Sequence, residues 1–158
     1  MIRFSALPTD TTRALQSGAP DSYANTPERA VSDGGAVPCR HCLQHIPQGA
    51  GMLIFAHRPF PDLHPYAETG PIFLCEDLCE RHEDTGTPPP VLTTSPDYLI
   101  KGYFATDRIV YGTGIVIPAD RLTAQAETIF HDPNVAYIHV RSSRNNCYLA
   151  RIDREDEY

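Results

Sequence analysis

Short apolar runs bounded by glycine and proline dominate the hydrophobic pattern of the chain. Residues 52–56 are apolar throughout and lie between Gly51 and Pro59, which is typical of a buried strand. Residues 71–75 repeat this pattern. Similar runs predict further strands at residues 2–7, 98–105, 109–117, 135–141 and 147–152. The last two flank a polar turn, so they are expected to pair as an antiparallel hairpin.

Helical spacing of apolar residues is less frequent. Residues 119–130 carry apolar side chains at the intervals of one helix face, which predicts an amphipathic helix. Shorter helices are predicted at residues 10–18, and at residues 76–83, whose acidic start suits the positive end of a helix dipole. The predicted fold class is therefore α+β: a mainly antiparallel β-sheet with one or two short-to-medium helices in a loop-rich single domain.

Chain length and composition limit the domain organisation. With 158 residues, the chain is predicted to form a single domain, residues 1–158, that can bury a core without disulfides. Residues 8–38 are poor in aliphatic side chains, so they are expected to wrap the surface or to be partly mobile. Residues 153–158 are mostly acidic and are predicted to form a solvated tail.

Charge and hydropathy narrow the classes of function. The net charge of −7 argues against a protein that binds nucleic acid or an anionic membrane, because it lacks the basic surplus that would neutralise phosphates. No apolar stretch approaches the length of a membrane span, and the N-terminal residues lack the pattern of a secretory signal. We therefore expect a cytoplasmic protein whose cysteines stay reduced, and their odd number, 5, also fits a disulfide framework poorly.

Four of the cysteines form two closely spaced pairs. Cys39 and Cys42 make a C-x2-C pattern, and Cys75 and Cys79 make a C-x3-C pattern. Zinc takes four thiolate or imidazole ligands in a tetrahedron, and such short loops let two ligands share one ion, so these cysteines are candidate metal ligands and zinc is the candidate cofactor. Two alternatives stay open: ordinary packed or surface thiols, and a redox-active pair. Cys147 has no nearby partner in the sequence and is expected in the core.

A proline-rich polar segment, residues 57–71, separates the two buried strands. Its four prolines stiffen a connection that carries a cation, two imidazoles, a phenol and a carboxylate, a set able to bind an anion or to act in acid–base catalysis. Two arginines from other parts of the chain can add bidentate contacts to a carboxylate or phosphate. The candidate ligand-binding residues are Arg40, Arg58, Tyr66 and Arg141. The candidate catalytic residues are His57, His64 and Glu68.

Less specific interpretations of the same residues stay open. A charge-rich loop is usually solvated, so its polar groups would then face water or pair with one another. Arg141 alternates with His139 on one face of a predicted strand, and in this interpretation it pairs with Asp153 or Glu155 rather than with a ligand.

Several short motifs are shared with a known family. The most specific are Pro38-Cys39-Arg40 and Gly70-Pro71-Ile72-Phe73, and the others are Phe4-Ser5-Ala6-Leu7-Pro8, Leu43, Cys79, Tyr103 with Asp107, Val140-Arg141 and Asn146-Cys147-Tyr148. Together, over residues 2–154, these motifs resemble the bacterial domain of unknown function 1203 family. The resemblance implies a single small domain with no assigned activity.

The chain departs from that family's pattern at two positions. The pattern usually keeps a cysteine at Cys39, often has another residue at Cys42, and commonly has glycine at Asn146. The resemblance therefore implies that a four-cysteine metal site would be particular to one branch of the family.

Three hypotheses of different classes follow from these features. The first, favoured by the stiff polar loop, is a domain that binds, or also acts on, a small anionic molecule in a pocket lined by Arg and His. The second is a non-enzymatic module with a structural zinc site and a protein partner. The third is a redox-responsive thiol protein.

Overall fold

Two antiparallel β-sheets and two helices are found in the structure, a computed structural model that describes residues 1–155. The strands are β1 (Ile2–Ser5), β2 (Glu28–Val31), β3 (Gly51–His57), β4 (Gly70–Cys75), β5 (Asp97–Tyr103), β6 (Ile115–Pro118), β7 (Tyr137–Ser142) and β8 (Tyr148–Arg154). The helices are α1 (Thr9–Gln16) and α2 (Leu122–Ile129), and short 3₁₀ turns lie at Pro90–Leu92 and Ala119–Arg121. The strand orders are β1-β8-β7-β5-β6 and β2-β3-β4. The predicted α+β class is confirmed.

The larger sheet carries the main hydrophobic core on one face. Ile138 and Val140 of β7 point to this face, because alternate residues of a strand share a side, and they belong to the same buried cluster as α2. Leu122, Ala126 and Ile129 of α2 repeat at the spacing of one helix face and are buried. The apolar periodicity of both elements fixes which side of each one faces the core.

The opposite face of the larger sheet is aromatic and polar. Tyr137, His139 and Arg141 of β7 point to it, again as alternate residues of the strand. The register of β5 adds Lys101 opposite His139 and Tyr103 opposite Tyr137. A strand that is buried on both faces therefore has one apolar side and one side with titratable groups.

The proline-rich loop between β3 and β4 covers this second face. Phe60 of the loop is buried in a small cluster with Tyr103 and Tyr137. Its ring centroid lies 5.3 Å from that of Tyr103 and 5.1 Å from that of His139. One aromatic side chain thus anchors the polar loop on the sheet.

The smaller sheet packs around a second apolar cluster. Leu53 and Phe55 of β3, Ile72 and Leu74 of β4, and Leu15 of α1 are buried together there. The same cluster includes buried side chains of the connection that precedes β3. This packing brings that connection, α1 and the end of β4 close to one another.

The N-terminal segment contains more structure than its composition indicates. Residues 8–38 include α1, close to the predicted helix at residues 10–18, and also β2, which pairs antiparallel with β3. No hydrophobic pattern predicts β2, because it is a short edge strand with mostly exposed side chains.

One predicted element is wrong, and another is shorter than predicted. Residues 76–83 form no helix, since backbone carbonyls in this region accept hydrogen bonds from the side chains of Arg13 and Gln16 of α1 instead of from helical N–H groups. The strand predicted at residues 109–117 is limited to Ile115–Pro118. Gly112, with a φ of 94°, turns the backbone before that strand.

The structure also bears on the predicted absence of a membrane span and on the predicted acidic tail. Within residues 1–155, no helix is long and apolar enough to cross a membrane. Asp153 and Arg154, expected to begin the acidic tail, belong to β8, whereas residues 156–158 of that tail lie outside the described residues.

Candidate functional site

Four cysteines from two parts of the chain converge at the edge of the smaller sheet. The Sγ atoms of Cys39, Cys42, Cys75 and Cys79 all lie within 4.8 Å of one another. The Sγ atoms of Cys39 and Cys79 are 3.9 Å apart, and those of Cys42 and Cys75 are 4.0 Å apart. This four-cysteine cluster is compact enough to hold a metal ion.

A tight turn before β3 positions the first two cysteines. The Leu43 N–H donates to the Cys39 carbonyl at 2.9 Å, and Leu43 adopts a φ of 53°. Glycine usually occupies positions with this left-handed conformation. Because the residue here is leucine, the sequence gives no sign of the turn. A bridge between Cys39 and Phe73 then places the turn beside β4, whose last residue is Cys75.

Polar groups around the cluster point at its sulfur atoms. The backbone N–H of Cys75 donates to Cys39 Sγ at 3.3 Å. The Nδ1 atom of His41, which is fully buried, lies 3.1 Å from Cys79 Sγ, and its Nε2 atom lies 2.9 Å from Thr9 Oγ1. Groups of this kind orient metal ligands and offset the charge of thiolates.

The thiols of the cluster affect one another's ionisation. Hydrogen bonds with Cys42, Cys75 and Cys79 lower the pKa of Cys39, and the hydrogen bond to Cys39 raises the pKa of Cys75. Hydrogen bonds within the cluster therefore favour the thiolate of Cys39 over that of Cys75. Ionising all four sulfurs requires a cation among them, because four adjacent negative charges repel.

A second polar site lies between β4, β7 and the proline-rich loop. It is a cavity of about 230 Å³ to which His57, Glu68 and Arg141 contribute side chains, and we call it the Arg141 cavity. Tyr148 and Ile72 line its apolar side, and its remaining lining residues are Pro59, Thr69, Gly70, Pro71, Asn145, Asn146 and Cys147. Three of the seven candidate ligand-binding or catalytic residues thus share one cavity.

Glu68 is held at this cavity by positive and polar groups. Its carboxylate accepts hydrogen bonds from Lys101 at 3.1 Å and from the Asn146 side chain at 3.3 Å, and lies 3.8 Å from Arg141 Nη1. Burial alone would raise the pKa of Glu68, but the charges of Arg141 and Lys101 lower it below its usual value. The carboxylate is therefore ionised at neutral pH.

Two histidines near the cavity are neutral at pH 7. Burial, together with the charges of Arg40 and Arg141, lowers the pKa of His57 to about 4. Burial and the charge of Arg141 also lower the pKa of His139 well below its ordinary value. Both rings pack against Tyr148, at centroid distances of 5.5 Å and 5.0 Å.

The structure places two of the predicted ligand-binding arginines differently. Arg40 is buried, donates to the Tyr148 carbonyl at 2.8 Å, and lines a separate cavity of about 380 Å³. Arg58 donates within its own loop, to the carbonyls of Phe60 and Pro61. Neither side chain lines the Arg141 cavity.

The remaining candidates on the loop pair with near neighbours. Tyr66 Oη lies 2.9 Å from Tyr111 Oη, and the Arg108 guanidinium stacks over the Tyr66 ring. Nδ1 of His64 accepts a hydrogen bond from the Tyr66 N–H at 3.1 Å. The ligand-binding and catalytic roles of all seven residues stay predictions.

The alternative pairing of Arg141 with β8 is wrong. Asp153 pairs with Arg151 at 2.7 Å, and Arg141 contacts Glu68 of the loop instead. Register explains the difference: Asp153 lies opposite Tyr137, at the far end of β7 from Arg141.

Sequence reasoning missed Lys101, Tyr103 and Tyr148 as neighbours of Arg141. The available signal was the alternation of Tyr137, His139 and Arg141, which puts polar groups on one face of a strand that is otherwise apolar. The cross-strand partners depend on register, which the sequence alone does not specify.

The family of the chain is decided by a match over most of its length. Residues 36–154 match the model of a family described as protein of unknown function, DUF1203. The chain belongs to the DUF1203 family. This confirms the resemblance stated above, and the DUF1203 match contains the four-cysteine cluster and the lining of the Arg141 cavity. No curated protein and no solved structure matches the chain.

Proposed function

We propose that this DUF1203 protein binds one structural Zn²⁺ ion through the four-cysteine cluster. The observation that carries the proposal is that the four Sγ atoms lie within 4.8 Å of one another. Zn–S bonds of about 2.3 Å in a tetrahedron separate the sulfur atoms by about 3.8 Å. The separations of 3.9 Å for Cys39 and Cys79 and of 4.0 Å for Cys42 and Cys75 agree with that edge length.

The ligand set favours zinc and a structural role. Four thiolates in a tetrahedron suit zinc or iron, and they leave no open coordination position for a substrate. A multi-iron cluster needs room for several iron and sulfide atoms, which four sulfur atoms that all lie within 4.8 Å of one another do not provide. The N–H groups of His41 and Cys75 offset part of the negative charge that four thiolates would leave around Zn²⁺.

The proposed ion would connect two parts of the chain that have little regular structure. Cys39 and Cys42 belong to the turn before β3, and Cys79 belongs to residues 76–85, which follow β4. Residues 76–85 contact α1 through Arg13 and β1 through a backbone hydrogen bond from Phe4. Metal–ligand bonds would hold this segment where neither a helix nor a sheet does.

Reversible oxidation is the second candidate for the same thiols. Cys39 with Cys79 and Cys42 with Cys75 are in contact, so each pair would form a disulfide by losing two electrons and two protons to an external oxidant such as a peroxide. Each pair would have to close to about 2.05 Å, which requires movement of the turn against β4. Bound zinc would occupy the thiolates and compete with this chemistry.

Metal content of the full-length chain, purified in reducing buffer, tests the proposal. We expect one zinc ion per chain by elemental analysis, and we expect Cys75→Ser to lose it. Cys147→Ser is the matched control, because Cys147 lies outside the four-cysteine cluster and should not affect zinc content. Bound iron, or a metal-free protein with freely titrating thiols, contradicts the zinc proposal, and reversible loss of thiols in pairs would favour oxidation instead.

A further inference from the structure

The Arg141 guanidinium lines the Arg141 cavity and is only partly paired. Its side chain is 5% exposed, and its Nη1 donates to the Asn146 carbonyl at 3.1 Å. Its Nε and Nη2 atoms are buried and have no hydrogen-bond partner among residues 1–155. Nε–H and Nη2–H lie side by side on one edge of the guanidinium plane, which is the arrangement that takes both oxygens of a carboxylate.

Two histidines near Arg141 also have unsatisfied polar atoms. Nε2 of His57 and Nδ1 of His139 are buried and lack partners within the described part of the chain. They come from β3 of the smaller sheet and β7 of the larger sheet, so the placement of one loop does not account for both. A buried polar group without a partner destabilises the folded state, and a protein seldom concentrates several near one place unless a ligand or water satisfies them.

The fixed charges around the cavity favour a monoanion. Arg141 and Lys101 are positive, Glu68 is negative, and the two histidines are neutral at pH 7, so Glu68 and its two cationic neighbours carry one positive charge in excess. The Glu68 carboxylate forms an ion pair with Lys101 Nζ at 3.1 Å, whereas its distance to Arg141 Nη1 is 3.8 Å. The excess charge is therefore on the Arg141 guanidinium, and Glu68 would repel a dianion more strongly than a monoanion.

The size and lining of the cavity limit the rest of the ligand. Its volume of about 230 Å³ lies below the usual range for drug-sized ligands. Tyr148, Ile72 and Pro71 supply apolar surface, and His57 supplies one neutral polar group. A short carbon chain with one hydroxyl or carbonyl group fits this combination.

We propose that the Arg141 cavity binds a small organic monocarboxylate, whose carboxylate accepts hydrogen bonds from the Arg141 guanidinium. Glu68 orients the site through Lys101 and Asn146 and discriminates against phosphate and dicarboxylates by its charge. The site is separate from the four-cysteine cluster, so it does not depend on the proposed zinc ion.

Titration of the full-length protein with lactate, observed by isothermal calorimetry and by NMR, tests this proposal. Lactamide serves as the uncharged control ligand, and succinate and inorganic phosphate serve as dianion controls. We expect saturable binding of lactate in the millimolar range or tighter, with binding of the three controls weaker by at least about tenfold. Saturable binding of phosphate but not lactate, or no saturable binding of either, would overturn the assignment.

Two variants locate the binding at Arg141. Arg141→Lys keeps the charge but removes the two-pronged edge, so we expect at least about tenfold weaker lactate binding, while Arg144→Gln, an exposed arginine on the adjacent turn, changes it less than about twofold. If Arg141→Lys does not fold, Glu68→Gln decides: removing the competing carboxylate should tighten lactate binding and admit phosphate. Unchanged affinities in Glu68→Gln would overturn the proposal. Zinc content is measured for every variant, which separates failure of this site from failure of the metal site.

Discussion

At the residue scale, His41 connects the four-cysteine cluster to helix α1 although it is not one of the four thiols. Its Nδ1 lies 3.1 Å from Cys79 Sγ, and its Nε2 lies 2.9 Å from Thr9 Oγ1. If the Thr9 hydroxyl donates to Nε2, then Nδ1 carries the proton and donates to the sulfur. This contact fixes the orientation of Cys79 and reduces the charge on its thiolate.

Replacing His41 therefore weakens metal retention without removing a ligand. We expect His41→Ala to lower zinc affinity about tenfold or more, measured by competition with a chromophoric chelator. His45→Ala is the control, because His45 bonds to Thr94 and not to the cluster. Equal affinities in the two variants would show that His41 has no part in the site.

His57 makes the stability of the fold depend on pH. Its pKa is about 4 in the folded protein, below its ordinary value of 6.5, because of burial and the charges of Arg40 and Arg141. The folded state prefers the neutral imidazole, so this stabilisation is present above pH 6.5 and is lost as pH falls toward 4. We expect wild type to lose about 2 kcal/mol more than His57→Gln between about pH 7 and pH 5, measured by urea unfolding. Parallel pH profiles of the two proteins would contradict this origin.

At the element scale, β7 separates two environments within one strand. Val140 faces the apolar core and is fully buried, whereas its neighbours His139 and Arg141 face the polar side. The strand can do this because its side-chain period is two, and a slip of one residue would exchange the two faces. The register of β7 therefore determines both which residues enter the core and which residues face the Arg141 cavity.

Replacing valines by alanine should distinguish core positions from exposed positions by their effect on stability. We expect Val140→Ala to lower the free energy of unfolding by about 2 kcal/mol, because it leaves a cavity in the core. Val116→Ala, on the exposed edge strand β6, should change it by about 0.5 kcal/mol or less. Similar losses in both variants, measured by urea unfolding, would contradict the assignment of the core.

Elements with strong periodicity could be predicted from the sequence, and elements fixed by tertiary contacts could not. The helix α2 and the hairpin of β7 and β8 have clear apolar spacing, and their predictions are confirmed. The strand β2 exists through its pairing with β3, which leaves no hydrophobic signature. Residues 76–83 carry helix-compatible charges, but side chains from α1 bond to their backbone and no apolar face is available for a helix to bury.

At the scale of the whole molecule, the two candidate sites lie where the sheets and their connections meet. The spacing of the four cysteines predicts the ligand set, but their convergence depends on the left-handed Leu43 and on the bridge from Cys39 to Phe73. The proline-rich loop does fold over the sheet, yet Phe60, an apolar residue, anchors it. Arg40 does not line the Arg141 cavity, because its guanidinium donates a hydrogen bond to the Tyr148 carbonyl instead.

Loss of the proposed ion should affect the stability of the entire domain. We expect Cys75→Ser to lower the free energy of unfolding by roughly 4 kcal/mol or more, because residues 76–85 contact both α1 and β1. Cys147→Ser should stay close to wild type when unfolding is followed by circular dichroism. A Cys75→Ser protein as stable as the control would mean that no metal supports the fold.

The most direct test of the central claim is X-ray absorption at the zinc edge of the purified full-length protein. The zinc proposal predicts four sulfur neighbours at about 2.3 Å from one zinc ion, with no nitrogen or oxygen in the first coordination sphere. A zinc ion with mixed sulfur and nitrogen or oxygen ligands, or a protein that carries no zinc at all, would contradict it.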